Sequence, residues 1–211
     1  NQIKLLRKLY TPEEARAYLD GEFVNLTIGR VYYAFDRRKH VGMRFPVKPT
    51  DVIYVGQDFN NNWSASSECI YRNGTIYMVD SHHWDDMGQG LSRLRELYPE
   101  NRIVMIPDAS GKQIMSGWVE EANQYDIELH WNNKNASIVE RVMALNKALQ
   151  FGQFKIMEPL TGSTGLSDVD LRNSLLDKAI LGFETRDYDD NGKPRKGKGP
   201  DAVDHSCDSS E

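Results

Sequence analysis

"YVGQDFNNNW" (residues 54–63) sets a carboxylate at the end of an apolar strand. Val52, Ile53, Tyr54 and Val55 form a β-favouring run that finishes on Asp58, and asparagines follow. A carboxylate at the mouth of a buried strand costs desolvation energy unless a cation or hydrogen-bond donors meet it. The pattern recurs downstream: "RIVMIP" (102–107) is a short apolar strand, and Asp108 stands immediately after it.

Working outward from 52–58, residues 64–72 and 75–80 read as two more strands, joined by Asn73-Gly74, a strong hairpin signal. "GQGLSRLRELY" carries Leu91, Leu94 and Leu97 at helical spacing. After the 102–107 strand, residues 112–125 read as helix and 127–131 as strand. Residues 136–151 read as helix, with Ile138, Val142, Leu145 and Leu149 on one face. "FKIM" (154–157) follows as a short strand, and 167–182 as a last helix. A hairpin-linked start followed by alternating strands and helices predicts an α/β fold, a mixed sheet with helices on both faces, wired as an RNase H-like core.

The flanks are less regular. Thr11-Pro12-Glu13-Glu14 is a helix start, with Thr as N-cap, Pro at the first helical position and Glu14 placed for a capping box. "EFVNLTIGRVYYAF" (22–35) has strand-forming residues, and "RRKHVGMRFPVKPT" (37–50) reads as loop. Near the C-terminus, "TRDYDDNGKPRKGKGP" (185–200) contains Asn191-Gly192, an expected auxiliary β-hairpin. "DAVDHSCDSSE" (201–211) reads as a short helix.

The 211 residues suit one larger domain, or one domain with appendages. No apolar run approaches the roughly 18 residues of a membrane span, and the N-terminus lacks the apolar core of a signal peptide. The first residue is not Met, which suggests an excised domain. Two cysteines, Cys69 and Cys207, make neither a disulfide framework nor a zinc site, and fit a reducing, cytosolic compartment. The net charge of −5 argues against a protein that holds nucleic acid mainly by bulk electrostatics. It leaves room for an acid-rich metal enzyme that meets DNA briefly, because a bound cation inverts the local field.

In the expected wiring, Asp58 and Asp108 emerge from neighbouring parallel strands at their carboxyl ends, where open α/β sheets bind ligands. Asp201, Asp204, His205 and Asp208 recur at spacings that put them on one face of the last helix. Each acid alone has a plain reading as a turn former or helix cap. Together, converging carboxylates repel unless cations lie between them, and an all-oxygen cluster suits Mg²⁺ or Mn²⁺. A two-metal site of this kind is built for in-line phosphodiester hydrolysis and needs no Ser or Cys nucleophile.

The chain resembles the C-terminal nuclease domain of the large terminase subunit of tailed phages, in particular headful-packaging terminases of short-tailed phages. "AYLDGEFVNLTIGRVYYAF" is similar to the family's linker after its ATPase domain. "VGQDFN" is similar to its first acidic motif, with Asp58 as ligand, and "VMIPDAS" to its second, with Asp108. "NASIVERVMALNKALQFGQFKI" is similar to its intervening helix and strand, and "PDAVDHSCDS" to its closing motif. The resemblance implies Asp58, Asp108 and Asp204 as catalytic metal ligands, with Asp201 as a further ligand nearby. His205, Ser206, Cys207 and Asp208 replace the small, apolar and Tyr residues usual after the third acid, so Asp201 and Asp208 stay open as alternatives for it.

The implied activity is a Mg²⁺- or Mn²⁺-dependent endonuclease that cuts concatemeric double-stranded DNA during viral genome packaging in the host cytoplasm. Residues 1–24 would be a linker from an N-terminal ATPase domain outside this chain, and 25–211 the nuclease domain. Portal protein and small terminase subunit are the implied partners, with no membrane. The chain itself has no G-x-x-x-x-G-K-[ST] loop and should not bind ATP.

Other residues carry lesser expectations. Lys193, Arg195, Lys196 and Lys198 lie on or beside the 191–192 hairpin and could touch DNA phosphates, as could Lys134. His205 is a candidate helper beside Asp204. His82 and His83, in "DSHHWDD", read as loop residues without a metal-ligand pattern. Trp63 and Trp84 are expected to pack.

Overall fold

The structure, a computed structural model, describes residues 29–59, 64–109, 116–131, 134–159, 175–189, 191 and 193–195. Seven strands form one sheet: β1 (Val41–Gly42), β2 (Val52–Phe59), β3 (Ser64–Arg72), β4 (Thr75–Trp84), β5 (Arg102–Pro107), β6 (Ile127–Leu129) and β7 (Phe154–Met157). The described helices are α1 (Arg37–His40), α2 (Met87–Leu97), α3 (Val119–Gln124), α4 (Ile138–Gln150) and α5 (Leu176–Thr185).

The strand order is β1-β7-β4-β3-β2-β5-β6. β3 runs antiparallel to both neighbours, and every other pairing is parallel. The fold is therefore the mixed, RNase H-like α/β arrangement that the sequence predicts. The β3–β4 turn forms at Asn73-Gly74, whose φ angles of 52° and 85° are both positive, as a type I′ hairpin turn requires. Beyond the sheet, Tyr188 bridges Pro194 antiparallel, and Asp189 N–H bonds to the Lys193 carbonyl at 2.7 Å; this is the auxiliary hairpin.

Helices cover both faces. On one, α2 buries Met87, Leu91 and Leu94 against Ile53, Val55, Ile103 and Met105. Each fully buried aliphatic side chain there contributes about 1.5–3 kcal/mol. Asp86 starts α2 by accepting from Gln89 N–H at 2.9 Å. On the other face, α4 and α5 pack Val142, Leu145, Leu149, Leu176, Ile180 and Phe183 over Met78, Phe154 and Ile156. α4 begins with a full capping box between Ser137 and Glu140.

Several expectations need correction: the helix expected over 112–125 is interrupted at 117–118, with α3 as its described part, and the strand expected over 127–131 ends at Leu129. Val31–Ala34 form a turn, not a strand. Val31 and Tyr32 are buried in the α4/α5 core, and the turn's backbone is met by partners far along the chain. Val31 N–H donates to the Arg186 carbonyl at 2.8 Å, Asn146 Nδ2 donates to the Val31 carbonyl at 2.9 Å, and Asn146 Oδ1 accepts from Ala34 N–H at 3.1 Å. The expected loop 37–50 contains α1 and β1; Asp36 caps α1, and β1 adds to the edge of β7. β4 continues to Trp84, because Ser81–Trp84 pair with Ser64–Ser67 of β3. The last described helix ends at Thr185 rather than residue 182, since its apolar face extends to Phe183. Helix starts expected at 112 and 167, the helix from Thr11 and that of 201–211 lie outside the described residues.

Candidate metal centre

The β2–β5 pairing fixes the geometry of the rim. The strands are parallel, and their last register pair is Gln57↔Pro107, one residue before each acid. Asp108 N–H then donates to the Gln57 carbonyl at 3.0 Å, so the ladder runs on past the end of β5. Asp58 and Asp108 therefore leave the same carboxyl rim from strands that lie about 4.7–4.9 Å apart. Both line one cavity of about 730 Å³, together with Asn135, Arg141, Arg186 and Pro194.

Asp108 is held from a third element. Asn135, two residues before the α4 N-cap, donates through Nδ2 to Asp108 Oδ1, and its Oδ1 accepts from Ala109 N–H at 2.9 Å. The sequence reading passes over Asn135, and its only signal was its place in the loop just before a capped helix.

The donor chemistry fits a hard divalent cation: two partly exposed carboxylates on adjacent strands, with Cys69 the only thiol or imidazole side chain among the described residues that line the cavity. Burial, then the charge of Glu68, pushes the Cys69 thiol up to about 12, so it stays protonated and supplies no nucleophile near neutral pH. Among the described residues no group of three or more His, Cys, Asp or Glu side chains is arranged to hold a metal ion. The expected third acid, Asp204, with Asp201, Asp208 and His205, lies outside the described residues, as do Lys196, Lys198 and Trp63.

The described basic candidates Lys134, Lys193 and Arg195 do not line the cavity, but each is next in sequence to a residue that does. Pro194 of the hairpin lines it, and its neighbours Lys193 and Arg195 are exposed. Arg195 Nε pairs with Asp187 at 3.1 Å. Lys134 is exposed and directly precedes Asn135. Arg186, almost fully buried, donates from Nη1 to the Tyr32 hydroxyl at 3.2 Å.

His82 and His83 are strand residues, which corrects their reading as loop. His82 is buried on the α2 face within a polar cluster. Its Nδ1 lies 3.1 Å from Glu68 Oε2, and Ser66 Oγ donates to Glu68 Oε1 at 2.5 Å. Trp84 Nε1 donates to Ser66 Oγ at 2.8 Å, and its ring stacks on His82 at 5.0 Å. Desolvation alone would lower the His82 pKa, but the charge and hydrogen bond of Glu68, with Asp80 adding, raise it above its ordinary value. Alternation hid this cluster: a strand whose buried face is polar lacks the apolar signal.

No protein-family model matches the sequence, and no curated protein matches it. Solved structures do. The large terminase of a thermophilic bacteriophage, in complex with ADP, aligns with a TM-score of 0.70 at 17% identity over 98% of this chain and 49% of that one. The large terminase nuclease from thermophilic phage G20c with bound magnesium aligns at 0.52 and 16% identity over 85% of this chain and 95% of its own. Its form with bound cobalt aligns at 0.53 and 14%. The chain spans about half the length of the ADP-bound terminase, and it matches nearly all of the G20c nuclease. The fold is thus the RNase H-like fold of large terminase nuclease domains.

Proposed function

We propose that this chain is a metal-dependent endonuclease domain of a phage-type large terminase, cutting concatemeric double-stranded DNA during genome packaging. One observation carries the reading: Asp58 and Asp108 each directly follow the last register pair of two neighbouring parallel strands, and so share one sheet rim, in a fold shared with terminase nucleases. Two adjacent carboxylates are costly to hold together without a cation between them. The magnesium- and cobalt-bound forms of the G20c nuclease support divalent-ion use by this fold.

In this reading Asp58 and Asp108 hold the ions, with Asp204, and Asp201 nearby, completing the set from the C-terminal segment; His205 is a helper. Two bound Mg²⁺ or Mn²⁺ ions supply Lewis-acid activation of water and charge stabilisation at the leaving oxygen. The protein's own part is to fix the carboxylates and seat the duplex. Lys193, Arg195, Lys196, Lys198 and Lys134 would meet phosphates around the cavity mouth. In this reading residues 1–24 would be a linker from an ATPase domain of the same polypeptide, and 25–211 the nuclease; the match to half of the ADP-bound terminase is in keeping with a longer polypeptide. Portal protein and small terminase subunit would be the packaging partners, in the host cytoplasm. No helix among the described residues is long and apolar enough to cross a membrane.

The test is direct. Supercoiled plasmid is incubated with the chain plus Mn²⁺, plus Mg²⁺, and plus EDTA. Nicking or linearisation with either ion, and none with EDTA, is the expected result. DNA binding without cutting under every ion condition, across a range of protein concentrations, would replace the nuclease by a non-catalytic scaffold.

A further inference from the structure

We propose that Asn135 is a positioning residue for the candidate metal ligand Asp108, and that its side-chain amide sets the affinity of the rim for divalent ions. This rests on the nuclease reading above.

Asp108 stands one residue beyond β5, at the last bond of the β2–β5 ladder. Its backbone is fixed by the bond to Gln57, but that bond does not determine which way the carboxylate points. Asn135 does. One amide group contacts two consecutive residues: Nδ2 donates to Asp108 Oδ1, and Oδ1 accepts from Ala109 N–H at 2.9 Å. The reverse amide orientation would set oxygen against oxygen and N–H against N–H, so the two partners together fix the orientation of the amide. With the plane of Asn135 fixed, the carboxylate it grips is fixed too.

The clamp is rigid because of where Asn135 comes from. It lies 27 residues along the chain from Asp108 and two residues before Ser137, the N-cap of α4. Ser137 Oγ accepts from Glu140 N–H at 3.2 Å, and the Glu140 carboxylate accepts from Ser137 N–H at 2.8 Å, so the helix start is closed on itself. α4 is in turn anchored in the core by Val142, Leu145 and Leu149. Core packing of the helix is thereby transmitted through one amide to a carboxylate on the rim. Outer partners that orient a ligating carboxylate change metal affinity or activity by about 10–100-fold when removed. Asparagine suits this place because it offers a donor and an acceptor without charge; an acid would repel Asp108, and an aliphatic residue would make neither bond.

The test measures ion binding without DNA. Mn²⁺ is titrated into the full chain by calorimetry, and the ion-induced rise in melting temperature is recorded, for the wild type, Asn135→Ala, Asn135→Gln and Ser137→Ala. Asn135→Ala should weaken Mn²⁺ binding by about 10–100-fold, with plasmid cleavage recovering at high Mn²⁺. Asn135→Gln keeps the amide but displaces it by one methylene, and should bind with intermediate affinity; it carries the test if the alanine variant does not fold. Ser137→Ala loosens the helix start that carries Asn135 but keeps the amide, so it should lower the metal-free melting temperature and weaken Mn²⁺ binding by less than Asn135→Ala does. If Asn135→Ala or Asn135→Gln folds and binds Mn²⁺ as the wild type does, Asn135 is structural only and the proposal fails. If the wild type shows no response to Mn²⁺, the metal reading itself fails, and the proposal with it.

Discussion

Asp108 donates its backbone N–H to the carbonyl of Gln57 at 3.0 Å, extending the β2–β5 ladder by one bond beyond its last strand pair. That bond brings Asp108 level with Asp58, so two acids 50 residues apart in sequence share one rim. Gln57 itself is only 3% exposed, and strand alternation turns its side chain to the opposite face from Asp58.

Asp58→Asn should abolish metal-dependent plasmid cutting while leaving the fold intact. Removing one of two adjacent negative charges relieves repulsion in the metal-free protein. Its melting temperature should match or exceed the wild type, with any loss below about 2–4 °C, the equivalent of about 1 kcal/mol at this size. Normal cutting by this variant would remove Asp58 from the site.

Divalent ions should stabilise the folded state by mass action. At a free concentration 100 times Kd, one site adds about 2.7 kcal/mol. For a chain of this length that is roughly 5–10 °C. EDTA should reverse the shift, and an Asp58→Asn/Asp108→Asn variant should lose it; an equal shift in that variant would locate the ions elsewhere.

The buried His82–Glu68 pair makes stability depend on pH. His82 has a native pKa above its ordinary value, against the desolvation that opposes it, because Glu68 lies beside it. A raised native pKa gives a contribution fully present below about pH 6.5, the unfolded value. That contribution is lost as pH rises through the native value. Breaking such a buried pair costs about 3–5 kcal/mol, so urea unfolding should find Glu68→Gln less stable than wild type by about that much at acidic pH. The gap should narrow as pH rises, and one that widens would reverse the assigned sign.

Gly90→Ala should destabilise the protein despite the better helix propensity of alanine, worth about 0.8–1.0 kcal/mol. A Cβ at position 90 would come to 3.0 Å and 3.1 Å from the Trp84 ring. Trp84 cannot easily yield, being held by Ser66 and stacked on His82. Overpacking of this kind costs about 1–3 kcal/mol. Denaturant midpoints should show a net loss, which should vanish in a Trp84→Ala background, where the ring atoms nearest position 90 are gone.

Lys193→Ala/Arg195→Ala should weaken duplex DNA binding uniformly across sequences. If each cation meets a phosphate, the slope of log K against log salt should become shallower by roughly 1 per cation removed. Fluorescence anisotropy over a range of salt concentrations reads this directly, and an unchanged slope would leave the hairpin as a solvated loop.

The sequence by itself determined the sheet and its order of elements. The apolar strands at 52–58 and 102–107, the Asn73-Gly74 turn and the capped, striped helix of 138–150 are local signals whose physics is complete within a few residues. It also marked Asp58 and Asp108, because an acid ending an apolar strand is visible without neighbours. Tertiary structure decided the rest. Only the parallel pairing of β2 and β5 makes those acids adjacent, and only folding brings Asn135 against Asp108 from 27 residues away. Val31–Ala34 look like strand until Asn146 and Arg186 satisfy their backbone as a turn, and His82 looks like loop until Glu68 meets it across β3 and β4. In each case the deciding partner is distant in sequence, and a hydrogen bond or charge pair with such a partner leaves no period in the chain that forms it.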